Sequence, residues 1–298
     1  GSHAVYVSQP DAVADLMSKR SSETEVRRLM ATDIGYDPAV WSELAAMGLL
    51  GLIIPEEFGG SGACAADLAV VADQFGRALL CAPYLSTAVL TPNLLPAPAD
   101  SAGCTEVLPK IAAGELIATV AFAQPGSARP PQHPSTTAIP TPDGWRLTGA
   151  TTYVLDAGSA HRFYVLAQTH SGTAIFAADG GAPGLTVTAL GTVDQTRRQG
   201  SLTLADTPAR LIGADSAGGA ALDRALDHAA IALTAEQAGG AMQAMQMAVG
   251  YARTRYQFGR ATGSFQAVKH MCVDMLLEAQ SAVSAARLPF DAPGFILY

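Results

Sequence analysis

Charge is scarce in this chain of 298 residues: Asp, Glu, Lys and Arg make up 15% of it, against about a quarter of an average soluble domain. Basic charge is scarcer still, with 18 Lys and Arg against 26 Asp and Glu and a net charge of −8. No basic run occurs that could neutralise phosphates, so nucleic acid is not an expected partner. The four cysteines, Cys64, Cys81, Cys104 and Cys272, form no C-x-x-C pair and have no His at ligand spacing. Neither a disulfide framework nor a metal site is expected, and they read as reduced, mostly buried thiols. Long apolar runs are missing too. The longest, LAAMGLLGLII at residues 44–54, falls far short of the ~20 residues that span a bilayer. Gly1-Ser2-His3 reads as a cloning scar, and the residues after it lack the basic and apolar regions of a signal peptide, so a cytoplasmic location is expected.

What the chain has in excess is hydrophobic residues, 49% of the total. With so little polar surface to spare, much of the chain is expected to face a partner subunit or a bulky ligand. Length alone suggests about two domains, but the texture changes twice. Residues 4–116 read as an all-helical region, with apolar positions at three- and four-residue spacing in VADLM, VWSELAAMGLL and ADLAVVADQFGRALL. Residues 117–214 carry short β-rich runs such as WRLTGATTYVL, RFYVLAQT and TAIFAA, separated by Pro-Asp-Gly, Ser-Gly and Ala-Pro-Gly turns, the pattern of an antiparallel sandwich or barrel. Residues 215–298 become helical again. A Pro-free stretch over about 218–256 is followed by a second helix over about 264–287, with Ser264 as its N-cap.

The first of these helices is rich in small residues, and Gly239-Gly240 in its middle would cost about 1 kcal/mol each unless a neighbour packs there or the helix bends. The second places Phe265, Val268, Cys272, Met275, Ala279 and Val283 on one side, read as core packing. Pro289 is expected to break it. Two helices make an incomplete bundle, so the third region reads as cut short, as lacking residues between Arg287 and Leu288, or as completed by other subunits.

Several motifs are weighed and set aside. Gly60-Ser61-Gly62-Ala63-Cys64-Ala65 fits the dinucleotide pattern G-x-G-x-x-G/A, but Pro55-Glu56-Glu57 interrupts any strand-to-helix turn and would set carboxylates beside a pyrophosphate. A loop between helices is the preferred reading. No P-loop and no G-x-S-x-G nucleophile elbow occurs. The informative stretch is YARTRYQFGRATGSFQAVKH at residues 251–270, where Arg253, Arg255 and Arg260 bracket a turn at Phe258-Gly259. Guanidinium groups between two helix ends can hold a pyrophosphate, Gln257 and Gln266 can hydrogen-bond a base or ribose, and Phe258 can cover a ring. The plainer reading is that basic residues at a helix C-terminus answer the macrodipole.

Arg255-Tyr256-Gln257-Phe258-Gly259 followed by Phe265-Gln266, together with PEEFGGSG at residues 55–62, closely resembles the flavin-dependent acyl-CoA dehydrogenase family over about residues 11–287. The resemblance implies a mainly α fold with a central β-barrel or sandwich between an N-terminal helical domain and a C-terminal helical bundle, here truncated. It also implies FAD as cofactor, an acyl-CoA substrate, electron-transfer flavoprotein as acceptor and partner subunits. In that family the C-terminal helical domain lends residues matching Arg255, Gln257, Phe258 and Gln266 to the ADP part of an FAD held mainly by a neighbouring subunit.

Other positions depart from the family. Its flavin ring is cradled by T-E-P-x-x-G-S-D and W-[IV]-[ST]-N segments, where this chain has Ala123-Gln124-Pro125-Gly126-Ser127 and Tyr153-Val154-Leu155-Asp156. Alanine and leucine replace two hydroxyls. The family's catalytic Glu, which removes the α-proton of the thioester, stands near the C-terminus or on the long helix. The first position is missing from this sequence and the second falls at or next to Ala229, so no catalytic residue is assigned. Glu236 lies seven residues on, about 10 Å along the helix, a poor substitute. Asp227 resembles a substrate-contacting position.

The pattern is similar to the non-catalytic chain of actinobacterial heterotetrameric, two-plus-two acyl-CoA dehydrogenases, which act on bulky CoA thioesters such as steroid side chains. Two alternatives stay open: an ordinary homotetrameric dehydrogenase whose catalytic C-terminal segment is missing here, and a non-enzymatic scaffold subunit.

Overall fold

The structure is a computed structural model describing residues 10–95 and 101–291. Helices α1 (Pro10–Arg20), α2 (Glu23–Met30), α3 (Pro38–Ala46), α4 (Ala65–Ala78), α5 (Thr91–Leu94) and α6 (Ser101–Ala112) come first. Strands β1 (Ala118–Ala121), β2 (Thr137–Thr141), β3 (Gly144–Leu155), β4 (Arg162–Gln168), β5 (Thr173–Asp179), β6 (Leu185–Ala189) and β7 (Gln199–Ile212) follow. The chain then runs through α7 (Gly218–Thr254), the short strands β8 (Tyr256–Gln257) and β9 (Arg260–Ala261), and α8 (Gln266–Asp291). The helical, β, helical order read from the periodicities is the order observed. The chain packs as two compact units, one holding α1, α4 and everything from Ala230 onward, the other holding residues 25–63 and 81–229.

In the first unit, α4 starts where the Cys64 N–H donates to the Asp67 carboxylate at 2.9 Å, which satisfies an otherwise orphaned donor at the helix N-terminus. Its buried face is Leu68, Val71, Ala72 and Phe75. Where α4 meets α7 the backbones nearly touch. A Cβ on Gly76 would overlap the Glu236 carbonyl, and one on Gly239 would overlap the Asp73 carbonyl. Ala69, Ala72 and Ala235 form a small apolar cluster of their own. The mid-helix glycines are therefore explained by close packing, and α7 runs through them as one helix of 37 residues.

α8 differs from its sequence reading in three ways. It begins at Gln266, and Ser264 sits in a preceding 3-10 turn whose hydroxyl donates to the Ala261 carbonyl at 2.6 Å. With its hydroxyl turned backward, Ser264 does not cap the helix. Pro289 does not break it either, because the helix runs on through it to Asp291. Of the side expected to be core, only Ala279 is fully buried, while Val268, Cys272 and Val283 are half-buried and Met275 lies at the surface. Met271, Val273, Leu276 and Leu277 are exposed as well.

In the second unit, β3 pairs antiparallel with β2 and β7, β5 with β4 and β7, and β6 with β7. One parallel pair, Thr137 opposite Gln168, joins β2 to β4 and closes the ring. β1 adds a parallel edge along β4, so the barrel is not purely antiparallel as its turns had suggested. Alternate residues fill its core: Leu147, Phe163, Val165, Ala167, Phe176, Leu202 and Leu204, with Trp145 tilted on Phe176 at 5.1 Å between centroids. The apolar run 44–54 leaves α3 as turns with Leu49, Leu50, Leu52 and Ile54 buried. No strand precedes Gly60-Ser61-Gly62 among the described residues, which agrees with reading those glycines as a loop.

Cys81 and Cys104 are buried, Cys64 is exposed and Cys272 is half-buried. Burial pushes the Cys81 thiol up to about 11, so it stays protonated and unreactive at neutral pH. Among the described residues there is no cluster of three His, Cys, Asp or Glu that could hold a metal, and no helix long and apolar enough to cross a membrane.

Candidate functional site

The four residues expected to meet a cofactor stand together on one hairpin and one helix start. α7 ends at Thr254, and β8 and β9 pair as Tyr256 with Ala261 and Gln257 with Arg260. The two residues between them, Phe258 and Gly259, both have positive φ, 51° and 76°, the geometry of a two-residue type I′ turn whose twist matches the flanking strands. A turn of this type welcomes Gly at its second position and strains a Phe at its first. Arg255 joins helix to hairpin, its N–H still donating to the Tyr251 carbonyl at 2.8 Å. At the base, the Thr262 N–H donates to the Arg255 carbonyl at 2.7 Å and the Thr262 hydroxyl to the Ala252 carbonyl at 3.2 Å.

The ends of these side chains face outward. Arg255, Gln257 and Gln266 are exposed, and Phe258 is 92% exposed, a position in which a phenyl ring gains almost no burial. Arg255 has no side-chain hydrogen bond or ion pair among the described residues. Gln266 bonds His270 one turn on, at 2.8 Å. An exposed guanidinium, two amides and an uncovered ring suit one half of an ADP moiety: charge for phosphate, donors and acceptors for ribose or base, and a flat apolar face.

The two segments matching the flavin cradle also lie together, in the barrel unit. The Thr152 N–H donates to the Ala123 carbonyl at 3.0 Å, and the Thr119 hydroxyl donates to the Leu155 carbonyl at 2.6 Å. Ala123 is buried, so an alkyl group fills the place where the family has a hydroxyl. Tyr153 and Asp156 both take the left-handed conformation, φ 53° and 50°. Asp156 accepts from the fully buried Ser86 hydroxyl at 2.6 Å, and burial pushes its carboxyl up to about 6. Nothing in the local sequence around Asp156 announces a desolvated acid. The donor set of this cradle does not fit a flavin ring as the family's does.

On α7, Ala229 is buried, Asp227 is exposed, and Glu236 is half-buried beside Gly76, with its backbone carbonyl against α4. Glu236 thus stands at the crossing of α4 and α7.

Two family descriptions match the chain: acyl-CoA dehydrogenase, N-terminal domain, over residues 10–115, and acyl-CoA dehydrogenase, C-terminal domain, over residues 217–288. The acyl-CoA dehydrogenase IpdE2 of Mycolicibacterium smegmatis is 33% identical over 273 residues, 91% of this chain and 72% of the relative. The chain belongs to the acyl-CoA dehydrogenase family. Among solved structures, the Tcur3481-Tcur3483 steroid ACAD G363A variant superposes with a TM-score of 0.81 at 31% identity, covering 94% of this chain and 78% of that one. The ChsE4-ChsE5 complex from Mycobacterium tuberculosis gives a TM-score of 0.81 at 28% identity, covering 98% and 80%. An acyl-CoA dehydrogenase family chain is thus an oxidoreductase-family protein with relatives in two-chain complexes.

Proposed function

We propose that this chain is the non-catalytic subunit of a heteromeric, two-plus-two acyl-CoA dehydrogenase, and that it supplies half of an FAD site to a homologous catalytic partner. The observation that carries the proposal is the contrast between its two flavin-related surfaces. Arg255, Gln257, Phe258 and Gln266 are all present and exposed, whereas the cradle segments carry alkyl side chains at the buried Ala123 and the half-buried Leu155. The Arg255 guanidinium would pair with the pyrophosphate, Gln257 and Gln266 would orient the ribose or base, and Phe258 would shield one face of it from water. FAD, when bound, supplies the hydride acceptor for α,β-dehydrogenation of an acyl-CoA thioester.

On this reading the base comes from the partner, in keeping with Ala229 at the helical position. Asp227, exposed near the start of α7, is a weaker candidate for a substrate contact. The apolar surface of Met247, Tyr251, Met271, Leu276 and Leu277 supports subunit association, because patches of this kind mark contact surfaces. The names of the Tcur3481-Tcur3483 and ChsE4-ChsE5 structures support a heteromeric complex, and the former a bulky steroid side chain as the acyl group. Electron-transfer flavoprotein is the proposed acceptor, and the cytoplasm the proposed location.

Co-expression with a homologous acyl-CoA dehydrogenase subunit, followed by flavin absorbance and native mass, tests the reading. One FAD per two chains is expected. A pure preparation of this chain that holds a full complement of FAD and oxidises acyl-CoA overturns it.

A further inference from the structure

Three arginines flank the hairpin tip, and the structure gives two of them different employment. Arg255 has no side-chain partner among the described residues. Arg260 is engaged: its guanidinium carbon lies 4.0 Å from the centroid of the Phe265 ring, well within the range of a cation–π contact. The same ring meets Phe258 edge-on, with centroids 6.3 Å apart and planes at 89°. Phe265 is also the residue whose carbonyl accepts the first hydrogen bond of α8, from the Lys269 N–H at 3.1 Å, so it is bonded directly to Gln266 and fixes where that side chain leaves the helix.

One half-buried ring therefore touches Phe258, carries Arg260 and adjoins Gln266. A two-stranded hairpin with two residues per strand is marginal in water, and a Phe at positive φ strains this one further. Apart from the Thr262 bonds at its base, the hairpin meets the start of α8 through Arg260 on the Phe265 ring and the edge contact of Phe258 with it. We infer that Arg260 is a positioning residue: stacked on Phe265, it holds the hairpin in the conformation that offers Phe258 and Gln266 to the cofactor, while Arg255 meets the phosphates. The inference rests on the shared-site reading above and adds to it a division of labour among like residues.

The test uses the chain co-purified with its catalytic partner and reads FAD dissociation by fluorescence. Arg260→Ala is expected to weaken retention roughly 3- to 5-fold, the scale of an exposed cation–π contact. Arg260→Lys, which keeps a cation over the ring, restores most of it. Phe265→Leu weakens retention similarly, and the double variant Arg260→Ala/Phe265→Leu falls no further than either single one, because both act through the same contact. A readout independent of FAD is the NMR signal of the Arg260 δ-protons in this chain, shifted upfield by the Phe265 ring and returned to its ordinary position in Phe265→Leu. Additive losses, failure of lysine to rescue, or an unshifted Arg260 signal overturn the inference while leaving the site intact. If Arg255→Ala also leaves FAD retention unchanged, the shared site itself fails and the positioning role falls with it.

Discussion

The hairpin over residues 255–266 and the cradle segments around Ala123 and Tyr153 are two halves of one family's cofactor chemistry, and here they have opposite physical characters. The hairpin is exposed and strained at its tip, with polar ends and a ring directed at solvent. The cradle is inward-looking. The Ala123 carbonyl accepts from Thr152, the Leu155 carbonyl from Thr119, and the Asp156 carboxyl from Ser86. These polar groups are engaged within the same unit. A surface that keeps its folding bonds while its outward hydroxyls give way to alkyl groups serves as scaffold. A surface that leaves a phenyl ring uncovered at positive φ is built for something outside the chain.

The contrast between the halves can be broken at several points. The severest perturbation should touch neither half. Gly76→Ala forces a methyl group into the Glu236 carbonyl at the α4–α7 crossing and is expected to cost about 3 kcal/mol or more, seen as a large fall in Tm of the isolated chain. Next, Arg255→Ala in the co-purified complex should lower FAD affinity roughly 30-fold, the scale of about 2 kcal/mol for a charge-assisted contact, with Tm of the isolated chain unchanged. An equal loss of Tm would make Arg255 a structural residue and erase the distinction between the halves.

Asp156 tests the cradle as scaffold. Its folded-state value of about 6 stands above the ordinary 3.8, so folding favours the protonated acid. Stability from this group is fully present below pH 3.8 and is lost as the pH rises through about 6. Asp156→Asn keeps an acceptor for Ser86 and removes the ionisation, so it should raise stability by about 3 kcal/mol at pH 8 and change little at pH 4. Thermal melts at the two pH values check this, and a destabilised variant at pH 8 would contradict it. The smallest effect sharpens the contrast from the other side. Ala123→Thr with Leu155→Thr restores two hydroxyls, together worth about 1 kcal/mol if they meet a flavin. FAD retained by the isolated chain should then rise several-fold in equilibrium dialysis, and no rise would mean that more than hydroxyls has been lost.

Much of this was legible in the residues. The order of regions followed from the change of hydrophobic period, and Phe258-Gly259 announced its turn through the glycine and the flanking arginines. The glycine pair in α7 pointed to close packing, which the structure supplies from Gly76 on α4. What sequence could not yield depends on contacts between distant positions. Val268, Cys272 and Met275 recur at core spacing, yet periodicity records only which side of a helix is apolar and not whether anything covers it; here they are half-buried or exposed. Ser264 carries a good capping side chain, but its hydroxyl was drawn to the Ala261 carbonyl by the preceding turn. The shifted acidity of Asp156 arises in a buried setting that includes a serine 70 positions away in the chain, a coincidence no local pattern encodes.

The four residues of the outward half-site fall within one short uninterrupted stretch, from Arg255 to Gln266. A binding surface assembled from scattered loops is inherited piecemeal and can erode one position at a time. This one is a cassette. It can be carried intact into another helical scaffold by a single exchange of sequence, and one insertion at the Phe258-Gly259 tip would disable all of it together.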